Sequence, residues 1–270
     1  MGSRERRAEC GARGSAIERS GFLGIRRGCR RRIDRFGRFR TESGHRHGTK
    51  SVPAVRGFVR TAFRFLIEQQ RADAVVVACN TATSVAVDEM RRLYDVPIIG
   101  MEPAVKKALT RDAEHRVLVT ATPITVHGEK LKRLISSCDP NGLVDLLALP
   151  QLVEFAERQE FVSSAVEAYL RDAFAPYRFA DYSAIVLGCT HFNYFKDTMR
   201  QLLPQNVRLV DGNEGTVEEL ARRTGLRTQP IGAQTAHCTF FESGRPVVRA
   251  EELAHMEADL ARAARMEEIV

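Results

Sequence analysis

From Ser51 onward the apolar positions follow two alternating rhythms. Val55, Phe58, Val59, Ala62, Phe63, Phe65 and Leu66 recur at helical spacing, with Pro53 in the first turn, and predict an amphipathic helix. Ala74-Val75-Val76-Val77-Ala78 is then a continuous, largely β-branched run, the pattern of a strand covered on both faces of a parallel sheet. The alternation continues with strand 96–100, helix 102–110, strand 116–121, helix 124–136 and strand 143–149. Helices near 152–157 and 162–174 follow, then strand 182–187, helix 193–202, strand 207–210 and helix 216–224. Strands alternating with helices of roughly 10–15 residues predict βαβ units and an α/β fold with parallel sheets.

Within this pattern lies a weak internal repeat. Ala74-Val75-Val76-Val77-Ala78-Cys79-Asn80-Thr81 and Ala184-Ile185-Val186-Leu187-Gly188-Cys189-Thr190-His191 share one plan. Each is an apolar strand, a small residue, a cysteine, and polar side chains that open a helix. The two cysteines lie 110 residues apart, about one small α/β domain. The expected architecture is two similar parallel-sheet α/β domains facing across a cleft, each supplying one thiol.

Composition refines this picture at the N-terminus. The chain of 270 residues carries a net charge of +7, which at first resembles a nucleic-acid binder. Residues 1–47, however, hold 14 Arg and 5 acidic residues, so the rest of the chain nets −2. This Arg-, Gly- and Ser-rich segment has no helical or strand period and is expected to lack packed structure. No apolar run approaches the roughly 18 residues that span a bilayer, and no signal-peptide core precedes the domain. Cys10, Cys29, Cys79, Cys138, Cys189 and Cys238 form no CxxC pair, which argues against structural zinc and for a reducing, cytoplasmic setting.

Ligands of parallel α/β sheets bind at the carboxyl ends of strands, where both repeated cysteines fall. A helix N-terminus presents unpaired N–H groups and partial positive charge. It is expected to favour thiolate over a thiol whose free value is about 8.5. The same N–H groups, with the Thr81 and Thr190 hydroxyls and the Asn80 amide, suit a carboxylate. Two thiols on opposite faces of one carbon fit a two-base proton transfer that inverts it, with His191 to tune or relay the proton. A lone cysteine at a strand end is usually a small buried hydrophobe; two in matched settings are harder to assign so. Cys79-Asn80-Thr81-Ala82-Thr83-Ser84 has no Arg to hold a phosphate, and a cysteine protease would leave the second motif unused.

At Val76-Val77-Ala78-Cys79-Asn80-Thr81-Ala82-Thr83 and Leu187-Gly188-Cys189-Thr190-His191-Phe192 the sequence resembles the glutamate racemases of the aspartate/glutamate racemase superfamily. The likeness extends from Gly48-Thr49-Lys50-Ser51 through Val96-Pro97-Ile98-Ile99-Gly100, Thr122-x-x-Thr125 and Pro150-Gln151-Leu152-Val153-Glu154, over about four-fifths of the chain. It implies two α/β domains, 48–100 with 208–270 and 101–207, the first holding both ends of the fold. It also implies interconversion of L- and D-glutamate for peptidoglycan, without pyridoxal phosphate or metal, by an enzyme that often forms homodimers. Cys79 and Cys189 would be the two bases, with His191 beside them. Gly48, Asn80, Thr81, Thr122, Thr125, Thr190 and His191 would hold substrate, and Glu154 would assist on the Cys189 side.

The sequence departs from the family at its start. The family's Asp-Ser-Gly motif, which follows a first β-strand and supplies a carboxylate near the first cysteine, does not occur here. Arg46-His47-Gly48 stands where Pro-Tyr-Gly is expected. The loss of that strand is expected to expose its neighbours, destabilise the chain and lower its activity. Competing readings are an aspartate or hydantoin racemase, an inactive remnant, and a nucleic-acid binder acting through the basic arm.

Overall fold

The computed structural model describes residues 22–27, 33–40, 50–112, 114–225 and 237–269. In chain order these form β1 (Phe22–Arg27), β2 (Ile33–Arg40), α1 (Val52–Phe63), β3 (Ala74–Val77), α2 (Asn80–Leu93), β4 (Ile98–Gly100) and α3 (Val105–Arg111). There follow β5 (Arg116–Ala121), α4 (Pro123–Val126), α5 (Glu129–Cys138), β6 (Val144–Ala148), α6 (Pro150–Glu157), α7 (Ser164–Phe174) and β7 (Tyr182–Leu187). The chain ends with α8 (Lys196–Leu202), β8 (Arg208–Val210), α9 (Asn213–Thr224), β9 (His237–Glu242), β10 (Arg245–Pro246) and α10 (Ala250–Glu267).

The strands make two sheets, ordered β10-β9-β2-β1-β3-β4 and β6-β5-β7-β8. In the second sheet every pair is parallel, as the alternating strand–helix pattern predicts. Its β5 and β7 are apolar runs buried between two hydrophobic layers. One layer gathers Leu152, Leu170 and Phe192, and the other Val105, Ala108 and Leu131. In the first sheet β3 and β4 are parallel, and all four β3 residues are fully buried. Each buried valine or isoleucine contributes about 1.5–3 kcal/mol, which is why these runs become central strands.

Four features differ from the sequence-based expectation. The Arg-rich segment contributes two strands: β1 pairs antiparallel with both β2 and β3, and β2 pairs parallel with β9. The side of β3 expected to lie open is therefore covered. Ladder bonds use backbone groups that every non-proline residue carries, so a strand can form without an alternating pattern. Ile25, from the one apolar stretch of that segment, is fully buried beside Ala74, Val76, Ile99 and Leu220. Second, the helix read through Leu66 changes at Phe63 into a π-helical turn, Arg64–Gln69, which keeps Phe65 edge-on to Phe241 with ring centroids 4.9 Å apart. Third, the helices expected over 124–136 and 193–202 each begin with a separate short turn: α4 before α5, and a 3-10 stretch, Thr190–Phe195, before α8.

Fourth, parts of 208–270 join the second sheet rather than the first. β8 pairs with β7 at Ala184↔Arg208 and Val186↔Val210. Ala263 of α10 belongs to the same buried cluster as Cys189, Phe192 and Tyr194. Pairing and burial decide this, and neither is visible in a weakly patterned, Ala- and Glu-rich stretch. The chain passes between the sheets near Met101–Ala104 and again near Asp211–Gly212, and the two passages touch. A Cβ on Gly212 would lie 2.6 Å from the Glu102 carbonyl oxygen, so that position accepts glycine alone without a shift. Among the described residues, no helix is long and apolar enough to cross a membrane.

Candidate active site

Both repeated cysteines stand two residues beyond the carboxyl end of a buried strand, Cys79 after β3 and Cys189 after β7. Their backbones match: φ −141°, ψ 118° at Cys79 and φ −139°, ψ 131° at Cys189. Each is the extended residue that immediately precedes a helical turn, so the internal repeat is also a repeat of geometry. The two motifs meet directly. The Thr190 hydroxyl donates to the Ala78 carbonyl at 3.2 Å, tying the turn after Cys189 to the residue before Cys79. The thiols sense one another as well, since charge on Cys79 helps to push the Cys189 thiol up.

Around Cys79 the amide of Ala82 donates to Sγ at 3.5 Å. Around Cys189, Sγ lies 3.9 Å from His191 Nδ1, and His191 Nε2 lies 3.1 Å from Glu157 Oε1. This makes a chain of thiol, imidazole and carboxylate. The carboxylate is Glu157 and not Glu154: the two lie one turn apart on α6, and the later one reaches the ring. The spacing Glu154-x-x-Glu157 was the available signal, but only the position of α6 against the 190–195 turn selects between them.

The expected acidification of the thiols is not found. Burial raises both, and outweighs the opposing backbone N–H groups of Ala82 and Thr81 at Cys79 and of His191 and Phe192 at Cys189. A desolvated anion loses more than one or two amide dipoles return. Burial therefore favours the thiol form of both sulfurs.

Three hydroxyls form a buried triangle across the two halves of the molecule. Thr81 Oγ1 lies 2.8 Å from Thr122 Oγ1 and 3.3 Å from Thr125 Oγ1, and the last two are 3.1 Å apart. All three are about 2% exposed. Asn80 is 5% exposed, and its Oδ1 has no hydrogen-bond partner among the described residues, an orphan acceptor of the kind usually kept for a ligand or water. It borders a small cavity of about 20 Å³ together with Thr83, Ser84, Thr125 and Lys130. Cys79, Asn80, Thr81, Thr122, Thr125, Cys189, Thr190 and His191 thus lie along one seam between the sheets, whereas Gly48 lies outside the described residues. A wider cavity, about 550 Å³, lies elsewhere, along β8 between α3 and α9.

Gly188 shows how tightly the second cysteine is held. Its N–H donates to the Thr120 carbonyl at 2.7 Å, and an added Cβ would sit 2.8 Å from that oxygen and 3.1 Å from the Ala121 Cβ. Gly188→Ala is expected to cost about 1–3 kcal/mol, as overpacking does, and to displace Cys189. Urea unfolding of the variant, read beside its turnover, checks both effects.

The sequence matches the Asp/Glu/Hydantoin racemase family over residues 37–220. It is 48% identical over 229 residues to a glutamate racemase of Campylobacter curvus, covering 83% of this chain and 85% of that one. It is 41% identical to glutamate racemase 2 of Bacillus subtilis, covering 77% and 78%. The fold is similar to the crystal structure of Escherichia coli glutamate racemase in complex with L-glutamate and the activator UDP-MurNAc-ala. That match has a TM-score of 0.67 at 25% identity and covers 83% of this chain and 84% of that one. A family match across more than half of the chain, and close relatives over most of its length, agree with the paired cysteine motifs: the chain belongs to the Asp/Glu/hydantoin racemase family.

Proposed function

We propose that this chain interconverts L- and D-glutamate by proton transfer between Cys79 and Cys189, and so supplies D-glutamate for peptidoglycan. One observation carries the reading: the Thr190–Ala78 bond, which brings two matched cysteine-bearing strand ends against each other. Membership of the family and the names of the close relatives supply the substrate. Substrate lies between two α/β domains, one built on each sheet, with the hydroxyls of Thr81, Thr122, Thr125 and Thr190 and the Asn80 amide facing its charged groups.

In the reaction one sulfur, as thiolate, takes the α-proton, and the electron pair left on Cα is delocalised into the α-carboxylate. The opposing thiol then gives its proton to the other face. The product is the mirror image, the first sulfur ends as thiol and the second as thiolate, and atoms and charge balance. His191, held by Glu157, is placed to exchange a proton with Cys189. The reaction runs in the cytoplasm, where both thiols stay reduced, and the enzyme acts as a homodimer. Incubating the purified chain with L-glutamate in D2O tests this: D-glutamate should appear carrying deuterium at Cα. No inversion and no α-deuterium would end the proposal.

The buried thiols set a pH dependence. A base must first lose its proton, and burial holds both thiols above their ordinary value. Below the lower of the two values the thiolate fraction grows tenfold per pH unit. Accordingly kcat/KM, which reports the free enzyme, should climb close to tenfold per unit from about pH 6.5 to about pH 8.5. A flat profile across that window would mean that a thiolate is already present.

A further inference from the structure

The C-terminal helix reaches the site from behind. α10 follows β9 and β10 of the first sheet, yet its buried Ala263 packs in the cluster that contains Cys189. One turn carries the contact. Arg262 donates to the Tyr194 carbonyl from Nε at 3.1 Å and from Nη2 at 2.7 Å, and Nη2 reaches both Asp197 carboxylate oxygens at 2.9 and 2.8 Å. Its Cζ lies 4.9 Å over the Phe161 ring, which in turn stacks on Tyr194. The side chain is 12% exposed.

Tyr194 lies in the 3-10 turn Thr190–Phe195, the same six residues that carry Thr190 and His191. A 3-10 turn has weak internal bonds, so its shape depends on what holds it from outside. A planar guanidinium that satisfies a carbonyl and a carboxylate together while lying flat on an aromatic ring fixes position and orientation in a way an ammonium cannot. We infer that Arg262 is a positioning residue for the Cys189 half of the site. From α10 it clamps the 190–195 turn, so that His191 stays against the Cys189 sulfur and Thr190 stays on Ala78. The inference rests on the proton-transfer reading for its kinetic consequence, but the clamp itself can be read without turnover.

The test uses the full chain with Arg262→Ala and Arg262→Lys, and Asp259→Asn as a control. Asp259 is on the same helix, one turn before Arg262, and accepts from Gln159 Nε2 at 2.7 Å. The rate of iodoacetamide alkylation is followed at each cysteine by peptide mapping, alongside racemisation in both directions. Both Arg262 variants are expected to alkylate Cys189 at least about tenfold faster, since that residue is otherwise only 7% exposed, with Cys79 changed less than about twofold. kcat should fall about 10- to 100-fold while KM moves less than about threefold. Asp259→Asn should leave both cysteines at the native rate even where it lowers the melting temperature. Cys189 alkylation unchanged in Arg262→Lys, or raised equally in the control, would overturn the clamp. Changed alkylation in a chain that never racemises glutamate would instead uphold the clamp and remove the proposed reaction. Should Arg262→Ala not fold, the lysine variant decides.

Discussion

Cys79→Ser and Cys189→Ser should each lower racemisation by about 10³-fold or more while leaving the fold intact, since general acid–base groups contribute about 10²–10⁴-fold and a hydroxyl is a far weaker acid than a thiol. The more telling result concerns exchange. With one sulfur gone, the other still faces one side of Cα. It can remove and return a proton there without inverting the centre. Each single variant should therefore wash deuterium into only one enantiomer of glutamate, and the two variants should choose opposite enantiomers. Proton NMR of the α-position in D2O, started separately from L- and D-glutamate, reads this directly. If both variants label the same enantiomer, or either keeps racemising within about tenfold of the native rate, the two-sided arrangement is wrong.

Phe192→Ala is expected to have the largest effect on stability among changes close to the site. The ring is fully buried, three residues after Cys189, within the cluster that holds Leu187, Cys189, Tyr194 and Phe195. Truncating a buried phenylalanine costs about 3–5 kcal/mol, part lost transfer energy and part the cavity left behind. With a urea slope of about 2–3 kcal/mol/M, the unfolding midpoint should fall by about 1–2.5 M. Phe192 shares its 3-10 turn with Thr190 and His191, so kcat should fall in whatever fraction stays folded. Phe192→Leu keeps much of the volume and should cost far less. A midpoint for Phe192→Ala within about 0.3 M of the native protein, on the same slope scale, would show that the ring does not anchor the turn.

The two thiols are matched in backbone but not in surroundings. Cys189 has an imidazole and, through it, the Glu157 carboxylate. Cys79 has the Ala82 amide and the amide and hydroxyl of Thr81. No Asp-Ser-Gly carboxylate stands in the sequence to serve it.

The sequence by itself determined the second sheet, the cores around β3, β5 and β7, and the placement of both cysteines at strand ends. Each is a local matter: apolar runs of the right length must be buried, and a polar helix start after such a run puts its first side chains at the strand's carboxyl end. What only the tertiary structure decided depends on partners far apart in the chain. The fully buried Ile25 and the strand around it found their place because the edge of β3 offered backbone groups to pair. Glu157 rather than Glu154 reached His191 because of how α6 lies on the 190–195 turn. The thiols were raised rather than lowered, because the amide dipoles at a helix start are local while the burial that outweighs them comes from the whole fold.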